Sequence, residues 1–116
     1  MISIEDFKKV EIVVGKIISV EKIPETDKLL KLAVDLGEPS PRQIVSGISL
    51  YFPDYTVLIG KKCMFVANLE PRMIRGIESQ GMILAVSAPD ATATAGQGKF
   101  SLLSPNDEIP VGTRAK

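Results

Sequence analysis

Histidine and tryptophan are absent from this 116-residue chain, cysteine occurs once, and aromatic residues make up only 5% of it. Without histidine the chain loses the usual general base, the usual activator of a nucleophile and the commonest metal ligand together. No catalytic residue, no metal site and no cofactor is therefore expected. A lone Cys63 permits no intrachain disulfide, and its run Cys63-Met64-Phe65-Val66-Ala67 reads as a strand, so a buried, inert thiol is expected. Charge of one sign is also missing. Fourteen Lys and Arg balance fourteen Asp and Glu, so nothing pulls a polyanion globally and any nucleic-acid site must be a local patch. The longest apolar runs, such as Met82-Ile83-Leu84-Ala85-Val86, are far short of the roughly 20 residues that span a bilayer. Glu5 and Asp6 near the N-terminus break the layout of a secretory signal, which leaves a cytoplasmic protein with no membrane partner as the expectation.

What is present is ordinary for a globular domain: 45% hydrophobic and 24% charged residues, in a length that suits one domain over 1–116. A first strand is expected over 10–20, with Val10, Ile12, Val14, Ile18 and Val20 on one face and a bend at Gly15. Leu30, Leu32, Val34 and Leu36 alternate with polar residues and predict a half-exposed second strand, and Gln43-Ile44-Val45-Ser46 a short third. Between 48 and 60 the period of two is lost and Pro53-Asp54 breaks any long helix, which predicts a short helical connector. Strands four and five are expected over 61–67 and 81–87, with a loop over 68–80. Five strands with a connector between the third and fourth predict an all-β, five-stranded OB-fold Greek-key barrel of about residues 1–88. The segment from about 89 to 116 is extra to it, and its apolar Phe100, Leu102 and Leu103 make a partner surface plausible.

The segment richest in chemistry is 68–82. Arg72 and Arg75 offer planar forks suited to phosphate, Asn68, Ser79 and Gln80 add neutral donors and acceptors, and Gly76 and Gly81 let the chain turn tightly. The same glycines and Pro71 could equally build a plain hairpin connection with solvated arginines. Lys28, Lys31 and Ser46 lie at the strand-two and strand-three face that OB-folds use for ligands, although ordinary exposed strand residues would look the same. Of the aromatics only Phe65 falls in mid-strand, where burial is expected, so stacking on single-stranded bases is disfavoured. A folded RNA read by shape, sugar and phosphate tolerates that shortage.

The ordered series Asp6-Phe7, Val14-Gly15-Lys16-Ile17, Asp27-Lys28-Leu29-Leu30-Lys31-Leu32, Ile44-Val45-Ser46-Gly47-Ile48, Val66-Ala67-Asn68-Leu69, Pro71-Arg72 and Glu78-Ser79-Gln80-Gly81-Met82 resembles the tRNA-binding domain of methionyl-tRNA synthetases. That domain occurs as the C-terminal module or beta subunit of the synthetase and as a free-standing structure-specific tRNA-binding protein. The resemblance covers nearly the whole chain. It implies an OB-fold that recognises the outer corner of tRNA without choosing among sequences, and a homodimer formed through a C-terminal dimerisation extension that includes Phe100, Leu102, Leu103 and Pro105. It also implies the synthetase catalytic subunit as a partner. The binding residues it carries over are Asn68, Arg72, Arg75, Ser79, Gln80 and Met82, with Lys31 and Ser46 on the neighbouring face; Lys28 joins the candidates on its place near strand two alone. Val13, Ile23 and Met73 stand where relatives commonly have Arg, His and Lys, and Glu70 where they are basic or neutral, so a weaker hold on RNA is expected. A second resemblance, to dimeric chaperones similar to CsaA that bind peptides, extends to the fold and the opening Asp-Phe, but that family lacks the Ser-Gln-Gly-Met signature found here. An enzyme in its own right has little support, since Asp27, Asp35 and Asp54 fall in turns or at strand ends.

Overall fold

The computed structural model describes residues 1–88 and 99–116. Part of the expected dimerisation extension, 89–98, lies outside the described residues. Helix α1 (Ile4–Lys8) opens the chain, capped by Ser3, whose Oγ accepts a hydrogen bond from the Asp6 N–H at 3.1 Å. It was not anticipated, although Ser-x-x-Asp is a capping pattern.

Strand β1 (Ile12–Lys22) does not follow the expected parity. Val10 and Ile18 are exposed and Gly15 and Ile17 pack towards the core in their stead, while Val20 faces the core as expected. The reason is a bulge: pairing runs from Ile17↔Val34 to Ser19↔Ala33, and the extra residue reverses which side chains face inward. The bulge lies beyond Gly15, whose own role is close approach. A Cβ there would stand 2.7 Å from both Leu36 Cδ2 and Phe65 Cδ1.

Strand β2 (Leu30–Asp35) shows the clean alternation expected of it, with Leu30, Leu32 and Val34 fully buried. Strand β3 (Arg42–Ser46) pairs with it antiparallel. The connector holds two 3-10 turns, Ser49–Tyr51 and Tyr55–Leu58, and its Leu58 is fully buried in the core cluster. Strand β4 (Lys62–Val66) pairs with the first half of β1, and β2 with the second half.

The expected loop over 68–80 contains a hairpin, β5 (Arg72–Ile74) and β6 (Ile77–Ser79). The expected fifth strand is divided at Leu84 into β7 (Met82–Ile83) and β8 (Ala85–Ala88), and β9 (Lys99–Leu102) pairs with β8. The main sheet runs β3-β2-β1-β4-β7. It curls until β3 meets β6 and the residues just after it: the Gln80 N–H donates to the Gln43 carbonyl at 2.8 Å, and the Val45 N–H to Ser79 Oγ at 3.0 Å. The result is a nearly closed, all-β barrel of the OB type.

The C-terminal residues lie on this barrel. Leu102 belongs to the core cluster, and the Met64 N–H donates to the Leu103 carbonyl at 2.8 Å. Further on, the Gly112 N–H meets the Val14 carbonyl and the Ala115 N–H the Ile12 carbonyl, both at 2.8 Å. They take the edge of β1 that β2 leaves unpaired.

Candidate nucleic-acid interface

The β5–β6 hairpin turns through two residues, Arg75 with φ 53° and Gly76 with φ 78°. Two successive positive φ values match the twist of the flanking strands. A glycine adopts this region freely, whereas an arginine there is strained and uncommon. Arg72, Met73 and Arg75 are all exposed. Arg75 and Lys28 meet across a surface cleft of about 410 Å³, also lined by Glu25, Thr26, Asp27 and Leu29. The structure thus brings together a cation from the β1–β2 connection and one from the hairpin tip.

Lys31 lies on another cleft, its Nζ 3.1 Å from Glu21 Oε2 in a solvent-accessible ion pair. It shares this second cleft, of about 310 Å³, with Arg42 and Gln43. Ser46 is half-buried at the end of β3 opposite Leu30, and Met82 is exposed on β7.

The neutral side chains of the segment are hydrogen-bonded to the protein itself. Asn68 Oδ1 accepts from the Glu11 N–H at 2.8 Å, and its Nδ2 donates to the Lys9 carbonyl at 2.6 Å. Ser79 is buried, accepting from Val45 and donating to the Gly81 carbonyl at 3.2 Å. Gln80 Oε1 accepts from the Gln43 N–H at 3.2 Å, and its Nε2 donates to Glu78 Oε1 at 3.1 Å. Val13 and Ile23, two of the positions where the resemblance notes a missing basic side chain, are buried and serve packing here. Only Met73 of the three stands exposed, on the hairpin itself.

Sequence reasoning missed Arg42. Its Nε and Nη2 grip Glu38 at 2.8 and 2.7 Å, while Nη1 donates to the carbonyls of Ala67 and, at 3.1 Å, Gln80. The Arg42 hydrogen bonds hold the Glu38 carboxyl below its ordinary range, and the same contacts raise the guanidinium further. Glu38 and Arg42 are four apart but sit in a proline-containing bend and at a strand start, not on a helix, so their spacing gave no signal of the ion pair. Nothing in the sequence indicated the distant carbonyls.

On the other side, Phe100 stacks on Tyr51 with ring centroids 4.0 Å apart and meets Phe52 edge-on at 5.8 Å. Leu102 is buried in its own chain's core, Pro105 is half-buried, and Leu103 is exposed at 36%. Cys63 is buried, and desolvation pushes its thiol up.

The fold is that of the OB class of barrels. Residues 12–114 match the family model described as "Putative tRNA binding domain", and the chain belongs to that family. It is 43% identical over 111 residues to the methionine–tRNA ligase of Enterococcus faecalis, covering 96% of this chain and 16% of the ligase. The methionine–tRNA ligase of Methanoregula boonei is 49% identical over 117 residues, again 16% of its length. The chain therefore spans about one-sixth of the length of these relatives. Among solved structures, the MetRS related protein from Pyrococcus horikoshii superposes with a TM-score of 0.85 at 39% identity, covering 100% of this chain and 98% of that one. Chaperone CsaA from Bacillus anthracis superposes with a TM-score of 0.75 at 27% identity, covering 100% and 99%. No helix among the described residues is long and apolar enough to cross a membrane.

Proposed function

We propose that this chain is a non-catalytic module that binds the outer corner of folded tRNA by the shape of its backbone. The observation that carries the reading is the division of labour in residues 68–80. The neutral side chains Asn68, Ser79 and Gln80 are hydrogen-bonded to the protein itself, whereas Arg72 and Arg75 are exposed with Lys28 beside the hairpin tip. Exposed guanidinium and ammonium groups suit phosphate, and contacts to phosphate position a nucleic acid without specifying its sequence.

The module serves a methionyl-tRNA synthetase, as its C-terminal module, its beta subunit or a free-standing companion in the cytoplasm, by raising the local concentration of tRNA. It works as a homodimer formed by the segment after the barrel, where Phe100, Leu103 and Pro105 offer surface and Leu102 supports it from the core. The similarity to chaperone CsaA favours one alternative, a dimer that binds peptides.

A mobility-shift titration at two salt concentrations tests the reading, with folded tRNA, unfolded tRNA and a DNA hairpin, on protein of known mass in solution. Folded tRNA alone should shift, and the protein should run as a dimer. No shift at low salt, together with binding of an unfolded peptide, would replace it with the chaperone reading.

A further inference from the structure

We propose that Arg42 is a positioning residue for the tRNA-binding hairpin, its guanidinium joining the two ends of the segment that carries Arg72 and Arg75. The inference rests on the tRNA-binding reading above and adds to it the group that aims the hairpin.

Ala67 is the residue before this segment and Gln80 closes it. Both carbonyls accept from the same Nη1 of Arg42, which reaches them from β3. Glu38 fixes the other edge of the guanidinium through two hydrogen bonds. Four of the five N–H groups that an arginine possesses are thereby engaged within the protein. Little capacity is left for a phosphate, so Arg42 acts on RNA through the hairpin and not by touching it. Gln43 extends the arrangement, its Nε2 donating to the Glu78 carbonyl at 2.8 Å, so successive β3 side chains bond β6 and the two ends of the segment.

Only a planar fork can span a carboxylate and two carbonyls at once. Lysine retains the charge and loses that geometry. The barrel seam keeps its main-chain and Ser79 hydrogen bonds without Arg42, so the fold persists while the base of the hairpin loosens.

Hydrogen exchange and tRNA titration on Arg42→Ala, Arg42→Lys and Glu38→Ala test the proposal. Amides of β5 and β6 in the free protein should exchange faster in all three variants, while those of β2 keep their protection. Affinity for folded tRNA should fall about tenfold in Arg42→Ala, as expected when one or two residues must be ordered again on binding. Lysine should not restore it, the salt dependence should stay as steep as in the wild type, and Glu38→Ala should also bind more weakly. Full rescue by lysine, a salt slope lower by about one phosphate contact, or tighter binding on removal of the Glu38 charge would each show a direct charge contact and overturn the proposal. Unchanged hairpin exchange would overturn it as well. Because exchange is read without RNA, a wild-type protein that fails to bind tRNA defeats the functional reading and leaves the positioning role testable. Should Arg42→Ala not fold, the surface substitution Glu38→Ala still decides.

Discussion

The hydroxyl of Ser79 accepts a hydrogen bond from the main-chain N–H of Val45 at 3.0 Å, so a side chain supplies a rung where β6 closes the barrel against β3. Ser79→Ala leaves that N–H unpaired in a buried seam, which costs about 1–3 kcal/mol. Urea unfolding should show the loss as a lower midpoint. Affinity of the folded variant for tRNA and its salt dependence should be unchanged. A selective loss of tRNA affinity at unaltered stability would instead make Ser79 an RNA contact.

Arg75 holds a left-handed backbone that asparagine adopts with less strain. Arg75→Asn should therefore keep or raise stability, by up to about 1 kcal/mol, and weaken tRNA binding. Thermal unfolding and titration of the same variant check both halves. A variant that loses stability and keeps affinity contradicts the assignment of Arg75 as a contact carried at the cost of local strain.

Legibility differed by element for physical reasons. The alternation of β2 could be read because one face packs on the core and the other is partly solvated, so the pattern and the environment have the same period. In β1 the bulge after Ile17 shifts the period, and β1 adapts there to pairing with β2, a partner met only in three dimensions. The hairpin within 68–80 was written in Ile74-Arg75-Gly76-Ile77, a two-residue turn between apolar residues, but its strands are very short. The exposure of Arg72 and Arg75 was legible from residue type and turn context. Asn68, Ser79 and Gln80 were not assignable by type alone, because amides and hydroxyls that suit RNA suit main-chain groups equally well. Arg42 escaped notice because the carbonyls it holds lie 25 and 38 residues away.

The Glu38 carboxyl, held below its ordinary range by Arg42, gives the hairpin base a dependence on acid. With the folded-state value depressed, the contribution is complete above the ordinary carboxylate range and is lost as pH falls through the lower, folded-state value. Hairpin protection, corrected for intrinsic exchange, should be level from neutrality into weak acid and fall below that range. Glu38→Ala should abolish this step. A step that survives the substitution would assign the acid dependence to another group.

Phosphate contact by the hairpin arginines, without choice among sequences, is tested most directly by titrating several unrelated folded tRNAs with wild type, Arg72→Ala and Arg75→Ala over a series of salt concentrations. Each substitution should weaken every tRNA by the same factor, leave the mass in solution unchanged, and lower the salt slope by roughly 0.7–0.9 for the contact removed. A loss that differs from one tRNA to another, or an affinity and slope indifferent to both substitutions, would contradict it.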